Sequence, residues 1–391
     1  MRIIIVNKFF YPRGGDCVCA INLEKMLREA GHDVAIFAMQ YPDNIPTPFD
    51  GYFPAEVSFA GGIKDKLRAA SRLFAPADVA RQFTRLIDDF RPDVVHLHNI
   101  HSYLSPVVGR IARERGIRVV WTMHDYKLVC PSYACLAGGK PCTDCFSDKN
   151  AVLRRRCMKG SAAASLLAWL EARYWTRTKL ARQTDCFICP SRFLSNRLAE
   201  AGFDRNKLAV INNFVDTSTF DKTKSTRRDF YCYVGRLSPE KGVRTLLRAA
   251  SQLPYELRVL GGGPPADELR REYADAPQIK FLGHQSAEGV KATLADARFS
   301  VMPSECFENN PLGSIESLCM GTPVLGANIG GIPELIDEQS GLTFASGDAS
   351  DLADKITQMM TRSFDYEAIQ RQAGERFDKE EYYKKLIEIY R

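Results

Sequence analysis

Short apolar runs alternate with segments of helical periodicity along the whole chain. Arg2–Val6 is such a run, followed by a polar loop through Gly14-Gly15 and a helical pattern to about Glu29, where Gly31 stops it. Val34–Ala38, Asp93–Leu97, Arg118–Thr122 and Thr184–Cys189 continue the series, the last leading through Pro190-Ser191 into a helix over Arg192–Ala201. The polar stretch Asn212–Thr226, merging into the basic, Ser/Thr-rich Asp221–Arg228, predicts a linker. The pattern then restarts with Phe230–Val234, a loop at Gly235–Pro239 and a helix to about Ala250. Leu257–Leu260, Ile279–Leu282, Phe299–Met302 and Thr322–Gly326 are its further strands.

Uninterrupted apolar strands joined by helices predict parallel sheets covered on both faces. The restart predicts two doubly wound α/β domains with a cleft between them. Ligands of such sheets sit at the carboxyl ends of the strands, so the loops there carry the chemistry. A chain of 391 residues suits two domains of this size.

Charge changes the picture locally. Residues 110–182 hold fifteen Lys/Arg against five Asp/Glu, a surplus larger than the net +6 of the whole chain. A solvated helical face accounts for such a run, and so does a surface for anionic lipid headgroups or a phosphorylated acceptor. No recognition helix, zinc-finger repeat or stacking-aromatic signature points to nucleic acid. Within this region Ala164–Lys179 sets Leu166, Leu167, Trp169 and Leu170 beside Arg173, Arg177 and Lys179, as an interfacial helix would. No run reaches the ~20 apolar residues of a membrane span. The opening segment is too short for a signal-peptide core and reads as a strand, so the expectation is a cytoplasmic protein, with peripheral contact at the inner face of the membrane.

Two segments of the second half carry phosphate and sugar chemistry. In Gly235-Arg236-Leu237-Ser238-Pro239-Glu240-Lys241-Gly242, Ser238 fits an N-cap and Pro239 a first helical position. Arg236 and Lys241 would add two charges to the partial positive charge of that helix start, which suits a diphosphate. In the run from Pro303 to Glu316, Asn310 reads as a cap and Pro311 as the first helical residue. Glu308 would then lie in the loop before the helix and Glu316 in its second turn. A ligand across this helix start would meet both carboxylates, which accept from sugar and ribose hydroxyls.

These segments, with Gly321-Thr322-Pro323-Val324 downstream, resemble glycosyltransferase family 4, whose two-Rossmann-domain architecture is called GT-B. The resemblance covers nearly the whole chain. It matches Glu308 and Glu316 to the family's Glu-x7-Glu motif and Arg236 and Lys241 to its phosphate-binding pair. It implies that Glu308 contacts the donor sugar, that Glu316 holds the ribose and that the basic pair neutralises the diphosphate, with Asn310, Pro311 and Leu312 contributing to donor binding. Asn309-Asn310-Pro311-Leu312 departs from the Phe-Gly-Leu-type stretch of many members. The resemblance also implies an N-terminal acceptor-side domain over 1–212, a nucleotide-sugar domain over 213–374 and a C-terminal helix, 375–391, returning to the first domain.

In the first half, Tyr11-Pro12-Arg13-Gly14-Gly15 resembles the family's Gly-Gly loop, where glycines let the backbone approach the donor phosphates. Thr122-Met123-His124-Asp125 resembles its His-Asp segment, which places His124 beside the transferring sugar. His96, His98 and His101 are expected to line the cleft or the acceptor side rather than bind a metal.

Twelve cysteines in a chain with no export signal are expected to be reduced. Cys142-x2-Cys145 has the spacing of a zinc knuckle, with Cys130 upstream and Cys157 downstream as completing ligands and Cys135 left over. Scattered reduced thiols are the plainer account, and an iron–sulfur centre has no electron chemistry to serve.

The function implied is retaining transfer of a sugar from a nucleotide-diphosphate donor, UDP- or GDP-linked, to a saccharide or lipid-linked saccharide acceptor, in bacterial surface polysaccharide or glycoconjugate synthesis. No catalytic metal is expected, and structural zinc is expected at the cysteines. Two alternatives stay open: a nucleotide-sugar epimerase of the same fold, and a non-catalytic sugar-nucleotide-binding subunit.

Overall fold

The computed structural model describes residues 1–58, 62–217 and 227–391. The chain divides into two units, Met1–Ala137 with Cys142–Asn212 and Tyr383–Arg391, and Asn213–Tyr382 with Gly138–Pro141.

In the first unit β1 (Arg2–Val6), α1 (Gly15–Glu29), β2 (Asp33–Phe37), α2 (Ile63–Ser71), α3 (Ala77–Phe90), β3 (Val94–Leu97), α4 (Val107–Glu114) and β4 (Arg118–Thr122) follow one another. Then come the short β5 (Leu136–Ala137), α5 (Ala151–Arg155), α6 (Ala162–Tyr174), α7 (Arg177–Gln183), β7 (Cys186–Cys189), α8 (Arg192–Glu200) and β8 (Leu208–Val210), while the short β6 (Lys140–Pro141) falls in the segment grouped with the second unit. The main sheet is parallel, in the order β2-β1-β3-β4-β7-β8. Ile3, Ile4, Ile5 and Val6 are all fully buried, because α-helices cover both faces and leave no side of the strand wet. The C-terminal residues belong to this unit through specific bonds. Tyr390 Oη lies 2.5 Å from His96 Nδ1, and Arg118 Nε donates to the Ile389 carbonyl at 2.6 Å.

The second unit repeats the plan. Its elements are β9 (Phe230–Val234), α9 (Val243–Ala250), β10 (Glu256–Leu260), α10 (Ala266–Glu272), β11 (Ile279–Gly283), α11 (Ala287–Asp296), β12 (Ser300–Met302), α12 (Leu312–Cys319), β13 (Val324–Ala327), β14 (Gly341–Phe344), α13 (Ala349–Thr361) and α14 (Tyr366–Arg376); α15 (Lys379–Tyr390) follows and belongs to the first unit from Tyr383 onward. The parallel order is β11-β10-β9-β12-β13-β14. Tyr231, Leu246, Val259, Phe299, Leu325 and Ile356 form part of its core.

Several expectations need correction. The helix expected from Pro239 to Ala250 is a 3₁₀ turn, Pro239–Lys241, followed after a break by α9. Gly242 makes the break at φ 67°, and the Ser238 hydroxyl donates to Glu240 Oε1 at 2.7 Å instead of capping the turn. Pro311 is the N-cap of α12 rather than its first residue, and Asn310 lies one position outside. Ala164–Lys179 is two helices, because Thr176 caps a new one by accepting from the Lys179 amide. The second unit runs on to Tyr382, past the expected boundary at 374. Most of the expected linker lies outside the described residues.

Candidate functional site

The second unit gathers its candidate residues at the carboxyl ends of β9 and β12. Lys241, in the 3₁₀ turn after β9, donates to Glu308 Oε1 at 2.5 Å, and the Ser304 hydroxyl donates to the same oxygen at 2.8 Å. Burial works against the lysine's charge, but Glu308 outweighs it and the ammonium pKa is raised. Backbone contact holds the two loops together. The Glu305 amide donates to the Glu240 carbonyl at 2.9 Å, and a Cβ on Gly242 would stand 1.8 Å from the Pro303 carbonyl oxygen. Only glycine fits there.

Arg236 is less committed. Its side chain is 66% exposed and pairs with Glu240 at 2.8 Å. Glu316 falls in the second turn of α12, as expected, and burial raises its carboxyl pKa. Asn310 is tied down, its side-chain oxygen accepting from the Asn213 amide at 2.7 Å. Its Nδ2 and the Ser314 hydroxyl are buried without a partner beside the first turn of α12. Leu312 opens that helix. The site therefore offers two cations, two carboxylates and free donors at a helix start, a set that can hold a diphosphate and the hydroxyls of sugars.

Sequence reasoning passed over the loops that frame this cluster. Leu237 donates to the Gly262 carbonyl at 2.8 Å, which sets the run Gly261-Gly262-Gly263 after β10 against the segment that holds Arg236 and Lys241. Gly331 donates to the Glu308 carbonyl at 2.7 Å. Three consecutive glycines at a strand end were a readable signal for the first of these. Nothing in the sequence marked Ser304.

In the first unit, Gly14 is the extended N-cap of α1 and Gly15 its first residue. Asp16, in that first turn, accepts from Asn99 Nδ2 at 2.9 Å and lies 3.6 Å from Lys8. His124 follows β4, and its Nε2 is 2.9 Å from His98 Nδ1. Burial, with Asp16 opposing and Lys8 assisting, holds the His124 pKa down to about 4. The ring is thus neutral near pH 7 and acts as a hydrogen-bonding group.

The expectation that His96 and His98 line a cleft is overturned. His96 is fully buried between Tyr390 and Thr122, with its Nε2 2.7 Å from Thr122 Oγ1, and burial lowers its pKa to about 3. His98 stacks between His96 and His124 at ring separations of 4.5 and 5.2 Å, so it positions His124 from behind.

The cysteine segment is also rearranged. Cys130 accepts hydrogen bonds from the thiols of Cys135 and Cys145, which lower its pKa. Cys135, expected to be left over, is buried at the centre, while Cys142 and Cys157 lie close enough to feel the same charge. Cys145, Ala151 and Val152 form a small core with Cys157 and Trp169 packed on it. Among the described residues no three His, Cys, Asp or Glu side chains are placed to hold a metal ion.

The second unit thus sets a Lys/Glu pair beside a helix start of the kind that can receive an anion. Comparison with known proteins specifies the class. The model of Glycosyltransferase Family 4 matches residues 13–219, and that of Glycosyl transferases group 1 matches 228–362. The chain belongs to glycosyltransferase family 4 and is a glycosyltransferase. It is 26% identical, over 86% of its length and 87% of the relative's, to a 42.6 kDa protein in the cps region of Klebsiella pneumoniae. A lipopolysaccharide core biosynthesis glycosyltransferase of Rhizobium meliloti, LpsE, is 32% identical over 48% of this chain and 57% of its own. Among solved structures, Anabaena HepE in complex with UDP-glucose shares the GT-B fold with a TM-score of 0.67 at 18% identity, over 99% of this chain and 98% of that one.

Proposed function

We propose that this enzyme transfers a sugar, with retention of anomeric configuration, from a UDP- or GDP-sugar to a saccharide or lipid-linked saccharide acceptor in surface polysaccharide synthesis. The observation that carries the reading is the Lys241–Glu308 pair at the carboxyl ends of β9 and β12. The UDP-glucose complex of HepE and the polysaccharide-related relatives support donor and pathway class. Arg236 and Lys241 stabilise charge as it develops on the departing diphosphate, the step at which preorganised electrostatics contribute most. In the second unit Glu308 is assigned the sugar and Glu316 the ribose; in the first, neutral His124 is assigned a hydroxyl, and Gly14 and Gly15 are assigned the close approach of a phosphate.

The test is a thermal-shift screen of UDP-, GDP- and ADP-sugars, followed by NMR of the product's anomeric centre, because a ligand selective for the folded state raises its stability. Stabilisation by one donor and a product of unchanged configuration are expected. An inverted product sinks the retaining assignment. An epimer formed without any acceptor, or a donor bound and never turned over, replaces it with the epimerase or the sensor.

Two further assignments belong to the first unit. Leu166 and Leu170 of α6 are 46% and 36% exposed, and Arg173, Arg177 and Lys179, which follow in the chain, are exposed too, which suits an anionic membrane surface. The described residues contain no helix long and apolar enough to cross a membrane. The clustered thiols are the donor type zinc prefers, and we assign them a structural zinc drawn from Cys130, Cys142, Cys145 and Cys157, with Cys135 as the competing ligand. Metal–thiolate bonds would replace the hydrogen bonds among these sulfurs.

A further inference from the structure

A cavity of about 90 Å³ lies in the first unit, lined by His101, Lys127, Lys149, Glu171 and Arg177, with Trp175 on its apolar side. That is room for about three waters, or for one oxyanion of similar bulk. Two of its lining residues come from the carboxyl ends of strands, where ligands of parallel sheets bind: His101 follows β3 and Lys127 follows β4.

Lys127 and Glu171 satisfy each other at 2.8 Å, and Glu171 also accepts from the Ser102 amide at 3.2 Å. Among the described residues neither Lys149, which is half-buried, nor Arg177, which is exposed on its outer side, has a carboxylate partner. Lys149 donates to the Val129 carbonyl and Arg177 to the Ala201 carbonyl, bonds that fix both heads in place without neutralising them. The groups that face Lys149 from other elements are the thiols of Cys145, Cys130 and Cys135 and the Arg177 guanidinium itself.

Two further features show a seat built for these groups. His101 Nε2 is buried without a hydrogen-bond partner, and its ring is held by stacking on Trp121 at 5.2 Å. Gly202 adopts φ 87°, and a Cβ there would stand 2.0 Å from Arg177 Nη1, so a larger residue would displace the guanidinium from the cavity wall.

We infer that this cavity binds a phosphoryl group, held by Lys149 and Arg177 with a hydrogen bond to His101. The group belongs to free phosphate or to a phosphate monoester. Assigning it to a phosphorylated acceptor rests on the glycosyltransferase reading, whereas the binding itself does not.

The experiment is isothermal titration of the full chain with inorganic phosphate and with glucose 6-phosphate, at ionic strength matched with chloride. It is repeated in Lys241→Ala, which disables the candidate donor site, and UDP titrations run in parallel report on that site separately. Both ligands are expected to bind, to weaken at least tenfold in Lys149→Gln and Arg177→Gln, and to recover partly in Arg177→Lys, with binding preserved in Lys241→Ala. Unchanged melting temperatures in the variants separate loss of binding from loss of fold, and Arg177→Lys serves if Lys149→Gln does not fold. Binding of phosphate but not of the monoester overturns the acceptor assignment. No binding beyond chloride, or equal binding in wild type and both Gln variants, overturns the pocket and leaves a hydrated cavity.

Discussion

Lys241 and Glu308 lie on separate loops of the second unit, yet lysine Nζ and carboxylate oxygen meet at 2.5 Å. The residue assigned to the diphosphate thus positions the residue assigned to the sugar. Lys241→Ala should lower kcat/KM by about 2–4 kcal/mol, the usual loss on removing a preorganised charge partner. Glu308→Gln should cost a similar amount, and the double variant less than the sum, because neighbours sharing one interaction are not additive. Arg236→Ala should also impair transfer. Near wild-type kcat/KM in both basic variants, or strict additivity of Lys241 with Glu308, would remove the shared site.

Gly242 is the joint between these loops. Gly242→Ala adds a Cβ 1.8 Å from the Pro303 carbonyl oxygen at a left-handed φ, so the Pro239–Lys241 turn must move away from Glu308. Such strain costs on the order of 1–3 kcal/mol. Urea unfolding should show that loss, with weaker UDP binding alongside. Undiminished stability and affinity would show that the close approach is not needed.

The periodicity of the chain marked most of the strands because each is buried on both faces, and an apolar run such as Ile3–Val6 has no other reading. The place of Glu316 in the second turn of α12 was legible because Asn310 and Pro311 signal a helix start, to within one residue. What stayed hidden was tertiary. The break at Gly242 follows from a carbonyl that comes from another loop, and His96 looked like a site residue until Tyr390 was found against it. Cys135 was set aside on spacing alone, whereas folding brings it to Cys130.

The buried histidines set a pH dependence. Burial first, with the charge balance around it, depresses His124 to about 4, and burial depresses His96 to about 3. Unfolded histidine binds a proton near ~6.5, so between there and the folded values the unfolded state holds more protons. Stability should therefore be full above about pH 7 and fall progressively as the pH drops toward 4. Asp125, raised by burial, contributes in the opposite direction at the acid end. A melting temperature that is level from pH 8 to pH 5 would contradict buried neutral rings.

Membrane contact through α6 should be both apolar and electrostatic. Flotation with vesicles of phosphatidylcholine and phosphatidylglycerol should recover the protein and lose it at high salt, since charge contacts are screened. Leu166→Glu with Leu170→Glu should abolish flotation while leaving the melting temperature within a few degrees, because both side chains are already exposed. Absence of binding at any salt concentration would reject the surface.

The thiol cluster makes the sharpest demand on chemistry. Cys130, Cys135 and Cys145 are in hydrogen-bonding contact. Zinc would draw protons off these thiols and bind four of them, a stronger set of bonds than thiol hydrogen bonds supply. The small core around Val152 gives the segment some stability of its own, so the metal should reinforce it rather than create it. Protein purified without metal-chelate resin should carry about one zinc per chain, by the stoichiometry of a four-thiolate site. Cobalt substitution should give the intense thiolate charge-transfer bands of that geometry. Chelation should lower the melting temperature and acceptor use more than UDP binding, because the cluster begins just beyond Tyr126 on the His124 loop of the first unit. Cys135→Ser decides between the ligand sets: full zinc content keeps Cys130, Cys142, Cys145 and Cys157, and loss of zinc brings Cys135 in. A zinc content well below one in wild type, or a disulfide in freshly reduced protein, would end the assignment.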